Sequence, residues 1–428
     1  MKRIDKDLKG TAGNTIMLYI MAFIKLILPL ATLPYLTRML SEEMYGMVSY
    51  VKATMTYMQL IIDFGFIYSS VKDIVNAKND KEKIGFIVGH TYLAKTLLIG
   101  VAFAVALCMF VAIPILRANF LFSLLSFVAV AISAYMADFL FRGIEKMHII
   151  TIIFVIMRTI STTLTFVVIH NDSDVLLIPI LDILSYIIAI LISQVWVARL
   201  GINIKINNLK TALYMLKDSF TYFLSSMATT VFSALNTILI GIVITDLKQV
   251  AYWGICTQII SAIQGLYAPI MNGIYPHMIR NKNLNFIHKL LCLFMPIVTI
   301  GCIACFWLSD YALLIIGGKD YVVATPILRC LIPILFLSFP AQLYGWPTLG
   351  AIGLEKQTTA STIIAALVQV LGLVVLLITN TMTLYTISIL KCFVEFVLMA
   401  IRVFFTYRYR ANFIGISSKE WEKQEHGG

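Results

Sequence analysis

Residues 85–115 read GFIVGHTYLAKTLLIGVAFAVALCMFVAIPI, an apolar run in which Lys95 is the one residue with a full charge. The hydrocarbon core of a bilayer takes about 20 apolar residues in helical form, so this stretch predicts a transmembrane helix. Similar runs lie near 14–36, 45–70, 119–140, 149–169, 175–198, 218–245, 250–275, 290–308, 326–350, 359–378 and 385–405, which makes twelve spans. Of the 428 residues, 60% are hydrophobic and 13% charged. Soluble domains carry about 45–50% apolar and about 25% charged residues. A water-soluble enzyme and a disordered chain are both excluded, because this much apolar surface has no place to hide in water.

The basic residues give the orientation. Lys2, Arg3, Lys6 and Lys9 precede span one, a start that resembles a signal peptide. The span is too long for that and no small-residue cleavage site follows, so it is expected to be retained. With an even number of spans, the loops on the N-terminal side hold 22 Lys and Arg, and those on the other side hold only Arg38, Arg117, Lys248 and Lys319. The positive-inside rule then places both termini in the cytoplasm of a multi-pass protein of the cell membrane. The net charge of +11 is therefore mostly a topology signal and implies no nucleic-acid partner. Trp196, Trp253, Trp307 and Trp346 fall near span ends, where an amphipathic ring is expected to sit at the headgroups.

Two halves repeat. Tyr45-Gly46 answers Trp253-Gly254 at an offset of 208, Ile67-Tyr68 answers Ile274-Tyr275 at 207, and Gly143-Ile144-Glu145-Lys146 answers Gly353-Leu354-Glu355-Lys356 at 210. Each pair sits at the same topological place. Six spans per repeat keep both halves the same way up, related by an axis along the membrane normal. The expected fold is all-α and membrane-integral, with twelve helices in two pseudo-symmetric six-helix lobes around a central cleft. An N-terminal lobe over 1–205 holds helices one to six. A C-terminal lobe over 206–428 holds helices seven to twelve and a short cytoplasmic tail.

The stretch 28–66, LPLATLPYLTRMLSEEMYGMVSYVKATMTYMQLIIDFGF, together with FRGIEKM (141–147) and LLIIGGKDYVVATPILRCLIPIL (313–335), resembles the Wzx-type oligosaccharide flippases. These belong to the multidrug/oligosaccharidyl-lipid/polysaccharide exporter superfamily. The resemblance runs over the whole chain and is most specific in the first two spans. It implies movement of an undecaprenyl-pyrophosphate-linked oligosaccharide repeat unit from the inner to the outer leaflet of a bacterial cytoplasmic membrane, for surface polysaccharide biosynthesis. It also implies contact with membrane lipids and with the polymerase and chain-length proteins of that assembly, and no cofactor.

Charges inside spans are costly and mark a polar pathway or a buried pair. They are Lys25, Lys52, Asp63, Lys95, Asp138, Arg158, Asp182, Arg329, Lys391, Glu395 and Arg402, an excess of three positive charges. Lys25, Lys95, Arg158 and Lys391 lie nearest mid-span. The expected substrate path for an anion is Lys25, Lys52, Lys95, Arg158 and Lys391. The competing reading is internal pairing: Lys391 and Glu395 are four residues apart on one helix face, which favours an ion pair. Asp63, Asp138 and Arg402 lie near cytoplasmic span ends, where snorkelling to the headgroups is an equal alternative. An ion-coupled transporter needs a carboxylate, and Asp182 and Glu395 are the candidates, with structural pairing standing beside that role.

Pro29 and Pro34 interrupt span one. Pro326, Pro333, Pro340 and Pro347 punctuate span ten at intervals of seven, which keeps the kinks on one face. Pro29, Pro34, Pro333 and Pro340 are the expected hinges, with packing kinks as the plainer account. No nucleotide motif, nucleophile elbow or His pair is present. The lone C-x-x-C at Cys302 and Cys305 has no second pair near it, so helix packing accounts for it better than a metal or redox site. Two alternatives rank below the flippase. A multidrug exporter of the same superfamily calls for an acidic cleft if its cargo is cationic. A polysaccharide polymerase or ligase calls for a large external loop with catalytic residues, and the loops here are short.

Overall fold

The computed structural model describes residues 23–413, apart from 25–26, 30, 78–79, 231–233 and 245. Lys25 and most of the expected first span lie outside the described residues. The described chain is helical and shows no strand. Seven helices are long and apolar enough to cross a membrane, and an eighth is added if the bent pair Lys319–Leu331 and Pro333–Ile352 is one span. Two further helices, Glu42–Asp63 and Leu384–Arg408, have 22 and 25 residues. At 1.5 Å per residue they are about 33 and 38 Å long, enough to cross the hydrocarbon. What lowers their apolarity is the charges that make them interesting: Lys52 and Asp63 in one, Lys391, Glu395 and Arg402 in the other.

In chain order the helices of the first compact unit are α1 (31–39), α2 (Glu42–Asp63), α3 (Phe66–Asn76), α4 (Lys81–Ala112), α5 (Pro114–Ala118), α6 (Phe120–Ser133), α7 (Asp138–Gly143), α8 (Met147–Val168), α9 (Leu177–Arg199) and α10 (Leu209–Thr230). This unit comprises Met1–Thr230 and Thr237–Ala251. Ser41 caps α2 by accepting from the Met44 amide, with Glu42 and Glu43 in the first turn, where acidic side chains suit the helix dipole. The helix stops at two successive left-handed residues, Phe64 (φ 42°) and Gly65 (φ 81°). Only glycine fits at 65, because a Cβ would also fall 2.6 Å from Tyr222 Cβ. The core gathers Ile84, Val88, Phe139, Leu140, Phe141, Ile149, Ile150 and Ile153. α10 packs on α2, α3 and α4. Its Phe223 stacks on Phe64 (4.5 Å between centroids), and its Ser219 hydroxyl lies 2.6 Å from that of Ser69. The lobe boundary expected at 205/206 thus falls within this contact unit.

The second unit is Val231–Asn236 with Tyr252–Gly428. α11 (Asn236–Val243) and α12 (Leu247–Gly265) straddle the two units. α13 (Tyr267–Asn281), α14 (Leu284–Trp307), α15 (Ser309–Ile316), α16 (Thr325–Leu331), α17 (Pro333–Leu343), α18 (Glu355–Ile378) and α19 (Leu384–Arg408) belong to the second. α19 packs on α17 and α18, and α17 on α14. Phe339, Leu343, Tyr344, Tyr267 and Ile287 form the core, and the Tyr267 hydroxyl donates to the Leu335 carbonyl at 3.0 Å.

The duplication has a structural counterpart. Span four is broken between α6 and α7, at residues 134–137. Span ten is broken after α17 by a π-turn over Tyr344–Leu349, in which Gly345 is non-helical (φ −73°, ψ −122°). The offset of 210 carries 134–137 onto 344–347. Spans two and eight are broken as well, at Phe64–Gly65 and at Leu266. Pro333 sits where the two arms of span ten bend by 42°. Pro340 lies inside α17.

Candidate functional site

In the first unit the intramembrane charges come together in connected cavities. Asp63 ends α2, a position where the helix dipole disfavours a carboxylate. It is compensated from a neighbouring helix: Lys95 Nζ of α4 lies 2.9 Å from Asp63 Oδ1. Gln59 donates to Asp63 Oδ2 at 2.7 Å, and Ser133 Oγ donates to Gln59 Oε1 at 3.0 Å. The Lys95 side chain is 8% exposed and its ammonium lies 5.8 Å from the Phe139 ring centroid. These groups line a cavity of about 420 Å³, with Asp138 and Tyr186 also on its wall. Lys95, an expected substrate-path residue with no partner on its own helix, is paired here. Its partner stands 32 residues away on another helix, where the spacing of one helix cannot reveal it.

A second cavity, about 250 Å³, shares Gln59 and Tyr186 with the first and adds Lys52 and Asp182. A third, about 30 Å³, shares Lys52 and Asp182 and adds Arg158, Ser161, Thr162 and Thr165. Asp182 Oδ1 accepts from Ser161 Oγ at 3.1 Å. Lys52 feels both the attraction of Asp182 and the repulsion of Arg158. The result is one polar track through an otherwise apolar bundle. Its walls carry three cations, Lys52, Lys95 and Arg158, and three carboxylates, Asp63, Asp138 and Asp182. The cationic excess read from the sequence does not belong to these described residues, whose charges balance.

The second unit treats its charges differently. Lys391 and Glu395 form no ion pair within 4 Å among the described residues. Instead, Lys391 Nζ stands 5.6 Å from the Trp253 ring centroid. Trp253 is 1% exposed, a core residue under a lysine. Trp307, 72% exposed, keeps a surface position. Arg329 pairs with Asp310 at 2.8 Å. Arg402 does not snorkel to a surface. It is buried, with Nη1 donating to the Ala341 carbonyl at 2.7 Å, Nε to Ser361 Oγ at 3.1 Å and Nη2 to Thr362 Oγ1 at 3.1 Å. Ala341 stands four residues before the non-helical Gly345, so Arg402 ties α19 to α17 beside the kink. A Cβ on Gly345 would sit 2.7 Å from Arg402 Nη1, so a side chain there would displace the guanidinium. The sequence signal that points to this role is the Ser361-Thr362 pair within an apolar helix.

Of the other expected residues, Pro29 and Pro34 are described, and Thr32 Oγ1 donates to the carbonyls of Leu28 and Pro29, each at 3.1 Å. The side-chain sulfurs of Cys302 and Cys305 are not bridged.

The family model described as polysaccharide biosynthesis protein matches residues 11–282. A protein of Escherichia coli (strain K12) that carries the name O-antigen transporter is 24% identical over 375 residues, 84% of this chain and 88% of its own. A protein of the same name from Shigella dysenteriae is 26% identical over 279 residues, 65% of this chain and 69% of its own. Among solved structures, an inward-facing multidrug resistance transporter of the MATE family, in the MOP superfamily, superposes with a TM-score of 0.68 at 13% identity. It covers 90% of this chain and 98% of its own. The lipid II flippase MurJ, in an inward closed conformation, gives 0.68 at 13% identity, covering 92% and 87%. These likenesses show an all-α membrane fold shared with that superfamily.

Proposed function

Because this chain belongs to the polysaccharide biosynthesis protein family, we propose that it is a flippase. It carries undecaprenyl-pyrophosphate-linked oligosaccharide repeat units from the inner to the outer leaflet of a bacterial cytoplasmic membrane by alternating access. The observation that carries this reading is the balanced polar track of the first unit, in which Lys52, Lys95 and Arg158 stand within a bilayer-spanning bundle. Intramembrane cations at a cavity wall are suited to an anionic headgroup, and a pyrophosphate diester is an anion small enough to enter while its lipid stays in the bilayer. Lys25 and Lys391 complete the proposed substrate path. Both termini are placed in the cytoplasm, the lobes at 1–205 and 206–428, and the hinges at Pro29, Pro34, Pro333 and Pro340. Polymerase and chain-length proteins are the proposed partners.

The balance of charge gives a coupling mechanism. Each cation of the track is offset by a carboxylate when the site is empty. A diphosphate entering it adds negative charge that water cannot screen there. Asp182 and Asp63 must then move away from the cations or take up protons. Proton uptake on Asp182 from the outside once the anion has left, and release to the cytoplasm on the return, would tie export to the inward proton gradient; Glu395 is the second candidate. The three carboxylates also lend themselves to a cationic drug, the second reading, but in the empty site they already face cations.

Deletion of the gene in its host, followed by lipid extraction, tests the main reading. Lipid-linked repeat units should accumulate on the cytoplasmic side. Restoration by wild type but not by Asp182→Asn across an imposed pH gradient supports the coupling role. Absence of accumulation in the deletion strain, with export of a cationic dye lost instead, would establish the drug reading.

A further inference from the structure

The second unit holds a cavity of about 400 Å³ lined by Met271, Asn272, Tyr275, Gln342, Trp346 and Arg402, with Ala268 and Pro347 closing it. Its place is set by the duplication. It lies at the break of span ten against span eight, and the first unit's 420 Å³ cavity lies at the break of span four against span two. The offset of 210 carries Met136, on the wall of the first cavity, onto Trp346, on the wall of the second. One ancestral pocket has become two, and their chemistry has diverged. The first is lined by an ion pair and a further carboxylate. The second has no acidic residue on its wall.

What the second cavity offers is uncommitted polar groups on an aromatic frame. Among the described residues, the side chains of Asn272, Tyr275, Gln342 and Trp346 make no hydrogen bond. Arg402 has five N–H donors and spends three on Ala341, Ser361 and Thr362, which leaves two. Trp346 is 51% exposed although it lies in the middle of a broken helix. Two amides, each both donor and acceptor, a phenol, an indole and a guanidinium edge match a ring that presents hydroxyls at its rim and C–H bonds on its face. The volume lies within the range of about 300–1,000 Å³ usual for small-molecule sites. A cationic drug finds no carboxylate here and meets Arg402.

We propose that this cavity is a sugar-ring site, in which Trp346 stacks against one pyranose of the cargo and Asn272, Gln342 and Arg402 read its hydroxyls. The site rests on the flippase reading and deepens it. The first unit handles the charge of the pyrophosphate, and the second recognises the glycan. The stacking residue sets affinity by its flat apolar face, and the amides set which hydroxyl pattern is accepted, because an amide that the bound ring cuts off from water and leaves unpaired is penalised.

The test uses the full chain in nanodiscs and three probes. They are undecaprenyl pyrophosphate, the lipid-linked oligosaccharide extracted from a strain lacking this gene, and the free oligosaccharide released from that extract by mild acid. Wild type should bind the lipid-linked oligosaccharide at least about tenfold more tightly than undecaprenyl pyrophosphate. Trp346→Ala should abolish that preference while leaving undecaprenyl pyrophosphate binding unchanged, and Trp346→Phe should keep most of it. Weak binding of the free oligosaccharide, lost in the same variant, assigns the pocket to the sugar itself. If Trp346→Ala does not elute and melt like wild type, Asn272→Ala/Gln342→Ala serves in its place, since Asn272 is exposed and Gln342 half-buried. A folded variant that retains the full preference overturns the pocket assignment alone. Failure of wild type to bind either lipid overturns the flippase reading and this site with it.

Discussion

The two cavities at the broken spans differ in how their polar groups are employed. In the first unit Asp63 is held by Lys95 and Gln59, and Gln59 is in turn held by Ser133. In the second, the one charged wall residue, Arg402, is held by the Ala341 carbonyl and the Ser361 and Thr362 hydroxyls, and the amides and aromatic rings around it are uncommitted. The two breaks answer each other at the offset of 210, and the side chains around them differ. A cavity whose charges are mutually satisfied stays tolerable in the membrane while empty and exchanges partners when an anion arrives. A cavity of neutral donors and acceptors remains hydrated while empty and selects by shape and hydroxyl pattern. Keeping the two tasks in separate halves lets one pocket hold what every lipid-linked cargo shares while the other follows what varies.

The largest expected effect comes from Arg402, because it carries structure as well as a pocket wall. Arg402→Ala removes three charge-assisted hydrogen bonds and strands the Ala341 carbonyl beside the kink. The expected loss is about 2–4 kcal/mol of stability, read as a lower melting temperature of the purified protein. Arg402→Lys should recover only part of it, since an ammonium cannot span the three acceptors as a planar guanidinium does. Equal melting of Arg402→Ala and wild type would mean that the two halves' breaks are held alike, by local turns.

Lys95 comes next, with its effect on transport. Lys95→Ala leaves Asp63 with the hydrogen bond from Gln59. Asp63 is 43% exposed in its side chain, so the fold should survive, while the lost anion contact should slow transport at least about tenfold. The measurement is accumulation of lipid-linked repeat units in a deletion strain carrying the variant. Lys95→Gln/Asp63→Asn, which removes both charges, should restore stability without restoring transport. Recovery of transport in that double variant would show that the pair is structural and would leave the charged cavity without its proposed task.

These differences were only partly legible in the sequence. Run length, loop charge and the offset of about 210 gave the membrane class, the spans and the repeat, because each is a property of the chain taken in order. The prolines of span ten marked a real bend. Pairing across helices was not legible. Helical spacing places Lys391 and Glu395 on one face, yet it carries no information about Trp253, which takes the lysine instead. For the same reason neither the Asp63 partner of Lys95 nor the three acceptors of Arg402 can be read from spacing. Packing of α10 with the first unit was equally hidden, since Phe223 and Ser219 find Phe64 and Ser69 at separations of more than 150 residues in one case and 150 in the other.

The smallest expected effect concerns how the two breaks move. At the positions that answer Pro326, Pro333, Pro340 and Pro347, the first half has Leu116, Ser123, Val130 and Ala137, so the proline ladder belongs to one half only. α6 runs unbroken through Ser123 and Val130, whereas span ten bends by 42° at Pro333. Proline at 333 has no amide hydrogen to offer the Arg329 carbonyl and clashes with a straight helix. Pro333→Ser places there the residue span four uses and lets that hydrogen bond form. The stability should change little, since Pro333 is the first residue of α17, where proline is well tolerated. If the second half flexes at this bend to admit the glycan, transport should fall about two- to threefold with insertion intact. The unequal response to the reciprocal change, Ser123→Pro, separates a hinge from a packing kink. That proline has no break to occupy in α6, so it should cost stability and not merely speed. A Pro333→Ser variant that transports at the wild-type rate would leave the difference between the halves entirely to their cavity walls.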